Sequence, residues 1–339
     1  MDDFRSCVAA VARGVPLTAT EARAAFGLIL EGCATPAQLG AFLMGLRMRG
    51  ETVDEIIGAT EAMRAAMVPV VAPPDAIDIV GTGGDGAGTY NVSTLAAIIA
   101  AACGAPVAKH GGKAASSRSG ASDVLGALGV RVGGGPATAA LCLRDVGLCF
   151  MAGPTHHPAL RHAGPVRAEL GVRTIFNLLG PLCNPARVDR QVIGVYSRDW
   201  LEPLARALRT LGARRVWLLH GADGLDEATT TTITHVAALE SGQIRLFDIA
   251  PEDADLPRAP AEALTGGDPK HNAAAMRAVL TGAKNAYRDI AVLNAAIALV
   301  VAERVSDLRE GAREAQMALD SGAAAAKLDA LIAATNRDG

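Results

Sequence analysis

The texture of the chain changes at Pro73-Pro74, and that change constrains the fold more than any single motif. Before it, helix start signals recur. Thr18-Ala19-Thr20-Glu21 fits a capping box, and the helix it opens runs through Leu28-Ile29-Leu30 to a stop at Gly32. Thr35-Pro36 supplies an N-cap followed by proline at the first helical position, with Gly50 as the stop. Thr52-Val53-Asp54-Glu55 is a further capping box, leading through Ile56-Ile57 to Met67. After the prolines, short apolar runs alternate with helical stretches. Strands are predicted at 76–80, 106–108, 148–151, 191–196, 214–219, 235–239 and 244–247. Helices are predicted at 93–103, 122–128, 137–146, 163–170 and 199–211, and over most of 272–336. Such alternation implies a mostly parallel sheet with helices on both faces. The expected architecture is a small all-α N-terminal domain, 1–72, and a larger α/β domain, 73–339.

Composition narrows the functional classes. Half of the 339 residues are apolar, and aromatics are only 3%, so Ala, Leu, Val and Ile must fill most of the core. A net charge of −3 argues against general nucleic-acid binding but leaves room for a local cationic pocket. No apolar run reaches the ~18 to 20 residues of a membrane span. The longest candidate, 290–302, carries Asn294. The start MDDFRS shows no secretory signal. Cys7, Cys33, Cys103, Cys142, Cys149 and Cys183 form no C-x-x-C pair and read as reduced thiols, most of them in the core, so a cytosolic protein is expected.

Two loops carry the chemistry. Gly81-Thr82-Gly83-Gly84-Asp85-Gly86 satisfies G-x-G-x-x-G, but its predicted helix begins only near Ser93 and the next strand ends in basic Lys109-His110. A dinucleotide fingerprint needs the helix to begin in the glycine run and an acidic residue about 20 positions on, so that reading fails. What remains is a backbone that can approach an anion closely, with Asn91, Ser93 and Thr94 as side-chain donors at a helix start. The second loop, Lys109-His110-Gly111-Gly112-Lys113-Ala114-Ala115-Ser116-Ser117-Arg118-Ser119-Gly120, packs cations, glycines and hydroxyls together. Either alone could be an ordinary turn or a solvated charge run. Together, at the ends of consecutive strands, they favour a phosphorylated substrate.

These residues resemble the anthranilate phosphoribosyltransferases over nearly the whole chain. The supporting segments are GTGGD with NVST (81–94), KHGGKAASSRSGASDVLGALG (109–129), HHPALRHAGPVRAELGVRTIFNLLGPLCNP (156–185) and HGADGLDE (220–227). The resemblance implies transfer of 5-phosphoribosyl from phosphoribosyl pyrophosphate to the amine of anthranilate, releasing pyrophosphate, in tryptophan synthesis. It implies a homodimer associated through the helical domain, to which a segment near 165–185 would belong. Phosphoribosyl pyrophosphate would be held by Gly81, Gly84, Asp85, Thr89, Asn91, Val92, Ser93, Thr94, the loop from Lys109 and His110 through Gly111, Gly112, Lys113, Ala114 and Ala115 to Ser116 and Ser117, and Ala121. Anthranilate would meet Gly81, His110, Gly112, His157, Arg167 and Pro181. Ser93, Asp226 and Glu227 would bind magnesium, two ions per subunit. No residue is assigned as a general base, since an aromatic amine is neutral at pH 7.

The chain departs from the family at Gly112 and Lys113, where Asn and Arg are usual, and this bears on acceptor affinity and identity more than on the donor. Alternatives are a transferase with another aromatic acceptor, a pyrimidine nucleoside phosphorylase and a non-catalytic nucleic-acid-binding relative. The intact GTGGD and Asp226-Glu227 argue against the last. His156-His157 reads as a polar pocket wall rather than a zinc site. The run Thr229 to Thr232 has no explanation in the sequence.

Overall fold

The computed structural model describes residues 3–113 and 118–337. The chain opens with four helices, α1 (Phe4–Ala12), α2 (Ala19–Leu30), α3 (Pro36–Arg49) and α4 (Val53–Ala66). The last three start where the sequence signals them. Thr18, Thr35 and Thr52 each accept a hydrogen bond from the N3 backbone, and Glu21, Gln38 and Glu55 each bond back to the cap. Helix α1, capped by Asp3, has no comparable signature, and the sequence does not single it out.

Beyond the prolines come β1 (Ile77–Gly81), α5 (Val92–Ala102), β2 (Val107–Gly111), α6 (Ala121–Leu128), α7 (Pro136–Val146) and β3 (Leu148–Ala152). Next are α8 (Gly153–His156), α9 (Gly164–Leu170), α10 (Phe176–Leu182), β4 (Arg190–Gly194), α11 (Leu201–Thr210), β5 (Arg215–Gly221), β6 (Thr234–Glu240) and β7 (Gln243–Ile249). The chain finishes with α12 (Pro269–Leu280), α13 (Ala286–Val301), α14 (Leu308–Asp320) and α15 (Ala323–Thr335). The seven strands form one sheet in the order β3-β2-β1-β4-β5-β6-β7. The first five strands run parallel, while β6 and β7 are antiparallel. The strand order reverses between β1 and β4, which in open α/β sheets is where ligands bind.

Two apolar clusters cover the sheet. One face packs on α5 and α13; fourteen of the sixteen residues of α13 are buried, so the long apolar run 290–302 is a core helix. Among the described residues no helix is long and apolar enough to cross a membrane. The other face meets α11 and the bundle, where α1 to α4 share a core with Ile175, Phe176, Leu178 and Leu179. Four phenylalanines run through that core: Phe4 to Phe42 at 5.2 Å, Phe42 to Phe26 at 5.9 Å and Phe26 to Phe176 at 5.5 Å between ring centroids. Edge and tilted ring pairs of this kind add to simple burial. The six cysteines are free; Cys7, Cys142, Cys149 and Cys183 are buried, whereas Cys33 is exposed and Cys103 half-buried.

Candidate active site

Because β1, β2, β4 and β5 are parallel, their C-terminal ends share one edge of the sheet. The glycine loop leaves β1 there, the cationic loop leaves β2, and the turn after β5 carries Asp226 and Glu227. That turn folds down onto the strand ends because two of them lack side chains. A Cβ on Gly81 would lie 2.5 Å from Asp226 Oδ2, and one on Gly194 would collide with the Asp226 backbone. Gly194→Ala is therefore expected to push the acidic pair off the sheet edge. Any ligand that touches the acidic pair should then bind less tightly, as calorimetry would read.

The Asp226-Glu227 turn is held by polar residues on either side of it. Asp223 Oδ2 accepts the hydroxyl of Thr229 at 2.6 Å and also that of Thr231, and the Thr229 N–H donates to Thr234 Oγ1 at 2.9 Å. The threonine run thus braces the turn. Asn294, buried in α13, donates to the Ala228 carbonyl at 2.8 Å and accepts from the Ala228 N–H at 3.0 Å. It pins the residue next to Glu227.

Two small clefts meet above the strand ends. The first, about 230 Å³, is polar. It is lined by Gly81, Gly84, Asp85, Thr89, Asn91, Val92, Ser93, Lys109, His110, Gly111, Gly112, Lys113, Ala121, Asp226 and Glu227. Thr94 does not line it; this residue is buried within α5. Ala114, Ala115, Ser116 and Ser117 lie outside the described residues. Asn91 is more a brace than a free donor, since its amide donates to the Ser119 carbonyl at 2.9 Å and accepts from Asn272 at 2.9 Å. The second cleft, about 220 Å³ and mainly apolar, brings together Gly81, His110, Gly112, His157, Arg167 and Pro181 with Met63, Leu160, Phe176 and Leu179. His156 does not join this wall; it turns to the linker, where its Nδ1 lies 3.2 Å from the Val68 carbonyl oxygen. Arg167 is not a solvated helix residue, because its guanidinium lies 4.9 Å from the centre of the Phe176 ring.

The electrostatics are those of a dry, charged floor. Asp226 and Glu227 are both pushed well up from the usual carboxylate range, chiefly by burial, with Asp85 adding like charge. Asp226 Oδ2 accepts the Gly83 N–H at 2.6 Å and Glu227 Oε1 the Ser93 N–H at 3.2 Å. Beneath them Lys109 is buried, its Nζ 2.5 Å from the Ile79 carbonyl and 3.4 Å from Ser93 Oγ. Burial lowers its pKa, while Asp78, Glu227 and Asp226 oppose that shift. Asp78, missed in the sequence as an ordinary strand residue, accepts the His110 N–H at 3.1 Å and the Asn184 amide at 2.7 Å. Burial raises its carboxyl to about 6. In the apolar cleft burial drives His110 down to about 3 and His157 to about 4, so both rings are neutral at pH 7.

A helical bundle joined to an α/β domain, with a polar cleft and an apolar cleft side by side at the switch point, defines a two-domain glycosyl transferase. The glycosyl transferase family's a/b domain matches residues 73–325 and its helical bundle domain residues 5–67. An anthranilate phosphoribosyltransferase of Methylocella silvestris is 63% identical over 337 residues, 99% of this chain and 97% of that protein. The crystal structure of the anthranilate phosphoribosyltransferase from Thermus thermophilus superposes with a TM-score of 0.92 at 42% identity, covering 97% of this chain and 99% of that one. The Saccharomyces cerevisiae enzyme in complex with PRPP and Mg gives 0.90 at 29% identity, covering 98% of each chain. The same yeast enzyme has been solved with 4-fluoroanthranilate, at a TM-score of 0.89, 26% identity and 99% coverage of each chain. The chain belongs to the anthranilate phosphoribosyltransferase family.

Proposed function

We infer that the polar cleft takes phosphoribosyl pyrophosphate, that the apolar cleft takes anthranilate, and that the chain joins them to give N-(5-phosphoribosyl)anthranilate and pyrophosphate. The observation that carries this reading is the shared wall. Val80, Gly81, Thr82, His110, Gly111 and Gly112 line both clefts, so a sugar carbon in one and an amine in the other meet there. The donor would be held by the residues of the first cleft named above together with the 114–117 stretch, the acceptor by Gly81, His110, Gly112, His157, Arg167 and Pro181.

Magnesium fits the floor. Asp226 is buried and Glu227 half-buried, desolvation drives both toward protonation, and a cation beside Lys109 would help to keep them ionised; hard oxygen donors suit magnesium. Ser93, Asp226 and Glu227 would hold the metal, with two ions per subunit, and when bound it offsets the charge on the pyrophosphate. Lys109 and the glycine-loop backbone stabilise the same leaving group as its negative charge grows. The C1–O bond breaks with its electron pair leaving on pyrophosphate, the acceptor nitrogen's lone pair forms the new C–N bond, and that nitrogen then passes one proton to the released pyrophosphate or to water. The chain's main contribution is orientation of two bound reactants. His110 Nε2 and His157 Nε2 are buried without a hydrogen-bond partner, and both stay available to the polar atoms of the acceptor.

Loss of anthranilate fluorescence on adding enzyme, phosphoribosyl pyrophosphate and magnesium tests the reading, with EDTA as control. Magnesium-dependent decay is expected; donor binding without decay would reject anthranilate as the acceptor. Arg167 is the cation of the apolar cleft, so Arg167→Ala should raise the anthranilate KM by roughly 10- to 100-fold, the worth of a hydrogen bond to a charged group. Because both histidines titrate well below pH 6, the anthranilate KM should stay flat between pH 6 and 8. A transition centred in that range would show that a ring is charged there. A Cβ on Gly112 would meet nothing within 4 Å, so Gly112→Asn should fold and keep turnover, with an anthranilate KM no higher than before.

Residues 1–72 with 165–185 are assigned to one domain and the rest of 73–339 to the other, supported by the contact of Phe176 with Phe26. Association of two copies through the helical domain is proposed as well; Val15, Met48 and Val172 in the bundle segments are exposed, as are Val71, Leu246 and Met317 elsewhere. A cytoplasmic location accords with the free cysteines and with a biosynthetic role.

A further inference from the structure

The glycine loop is braced from outside by a residue that none of these roles uses. We propose that Arg173 is a positioning residue that fixes the glycine loop in its donor-binding shape, an inference that rests on the donor reading of the polar cleft. Arg173 lies in the turn between α9 and α10, the segment that also brings Arg167 and Phe176 to the apolar cleft. Its Nη2 donates to the Gly84 carbonyl. Its guanidinium lies 4.3 Å from the centre of the Tyr196 ring, just past β4. The Tyr196 N–H in turn donates to Thr82 Oγ1 at 3.1 Å, where the loop leaves β1. The loop is therefore gripped at its crest by the edge of the guanidinium and at its base by the residue that carries the stacking ring.

The loop needs such a brace. Gly83, Gly84, Gly86 and Gly88 all have positive φ, so without an external contact this stretch has much freedom to lose when the donor binds. Ordering it in advance removes that cost from binding. Gly84 is also constrained by the brace itself, because a Cβ there would lie 3.3 Å from Arg173 Nε. Arginine suits the task, since one planar group can stack on a ring through its face and donate through its edge; lysine cannot do both.

The test compares the unmodified chain with Arg173→Ala, Arg173→Lys, Tyr196→Leu and the double variant Arg173→Ala/Tyr196→Leu. Calorimetry with phosphoribosyl pyrophosphate and magnesium gives donor affinity, the fluorescence assay gives KM and kcat, and thermal melting reports folding. Arg173→Ala should weaken donor binding roughly tenfold, about the worth of one charge-assisted hydrogen bond. The donor KM should rise by more than kcat falls. Lysine should recover little, Tyr196→Leu should act in the same direction, and the double variant should be no worse than Arg173→Ala alone, the non-additivity expected of one bracket. Full recovery by lysine would mean that the charge acts on the phosphates directly and would overturn the proposal. So would unchanged donor affinity in Arg173→Ala, whatever its melting point. If Arg173→Ala does not fold, unchanged donor affinity in Tyr196→Leu overturns it instead. If the unmodified chain binds donor but leaves anthranilate untouched, the acceptor assignment fails, while the affinity series still decides the role of Arg173.

Discussion

The double substitution Asp226→Asn/Glu227→Gln is expected to lower kcat/KM on the order of a thousandfold, as loss of several kcal/mol of leaving-group stabilisation requires, while raising the melting temperature at pH 8. The opposite signs come from one fact. Asp226 is buried and Glu227 half-buried, and desolvation raises both above their unfolded pKa values. A carboxyl with a raised folded-state pKa loses stability as the pH rises from its unfolded pKa through the folded one, because the native state must then give up a proton into a setting that disfavours the ion. The isosteric amides remove acidic charge, leave Asp78 as the counter-ion of Lys109, and keep the acceptor oxygens for the Gly83 and Ser93 N–H groups. A rise of roughly a few degrees at pH 8 is reasonable for a domain of this size. The gain should shrink as the pH falls and the native carboxyls take up protons. Activity and melting curves on the same preparations check both halves. A lower melting temperature at pH 8 would show that the pair is a structural element rather than a site held at a cost. Retained magnesium-dependent turnover would place the metal elsewhere.

How much of this site was legible in the sequence depends on the range over which each part acts. The capping boxes at Thr18 and Thr52 are local, each closed within four residues, and sequence reading finds them directly. The glycine loop and the start of the cationic loop are also local, because a strand end, a run of glycines and a helix start lie within about one turn of one another. The supports beneath them are not local. Asn294 is 66 residues from the backbone it pins, and in the sequence it is a single polar residue within an apolar run. Asn184 is 106 residues from Asp78, and Arg173 is 89 from the loop it grips. Asn91 was legible as a polar group at a helix start, but its commitment to Ser119 and Asn272 depends on how the loops pack. Single polar residues carry no periodicity, and their partners are set by the tertiary fold. For the same reason the sequence does not show the purpose of the threonines at 229–232, two of whose hydroxyls donate to Asp223.

Lys109→Ala should cost more than any other single change on the donor side, and its cost should depend on pH. Lys109 is the buried cation among Asp78, Asp226 and Glu227, and all three act to keep it charged. Removing it strands buried carboxylates without their counter-ion, a loss that in comparable buried pairs amounts to about 3 to 5 kcal/mol. The carboxyls respond by rising further in pKa. Asp78, already lifted to about 6 by burial, loses the chief influence that lowers it. The variant can then escape part of the penalty by protonation, so its melting temperature should fall below that of the unmodified chain by more at pH 8 than at pH 6. Donor binding should be lost at both pH values, because the Lys109 charge is absent from the polar cleft whether or not the carboxyls have taken up protons. The companion variant Lys109→Ala/Asp78→Asn removes one stranded ion and should recover stability at pH 8 without recovering donor affinity. That split separates the two tasks of Lys109. If the companion variant regained donor binding, Lys109 would be a structural counter-ion alone, and the cationic loop beyond it would have to supply the contact with the phosphates.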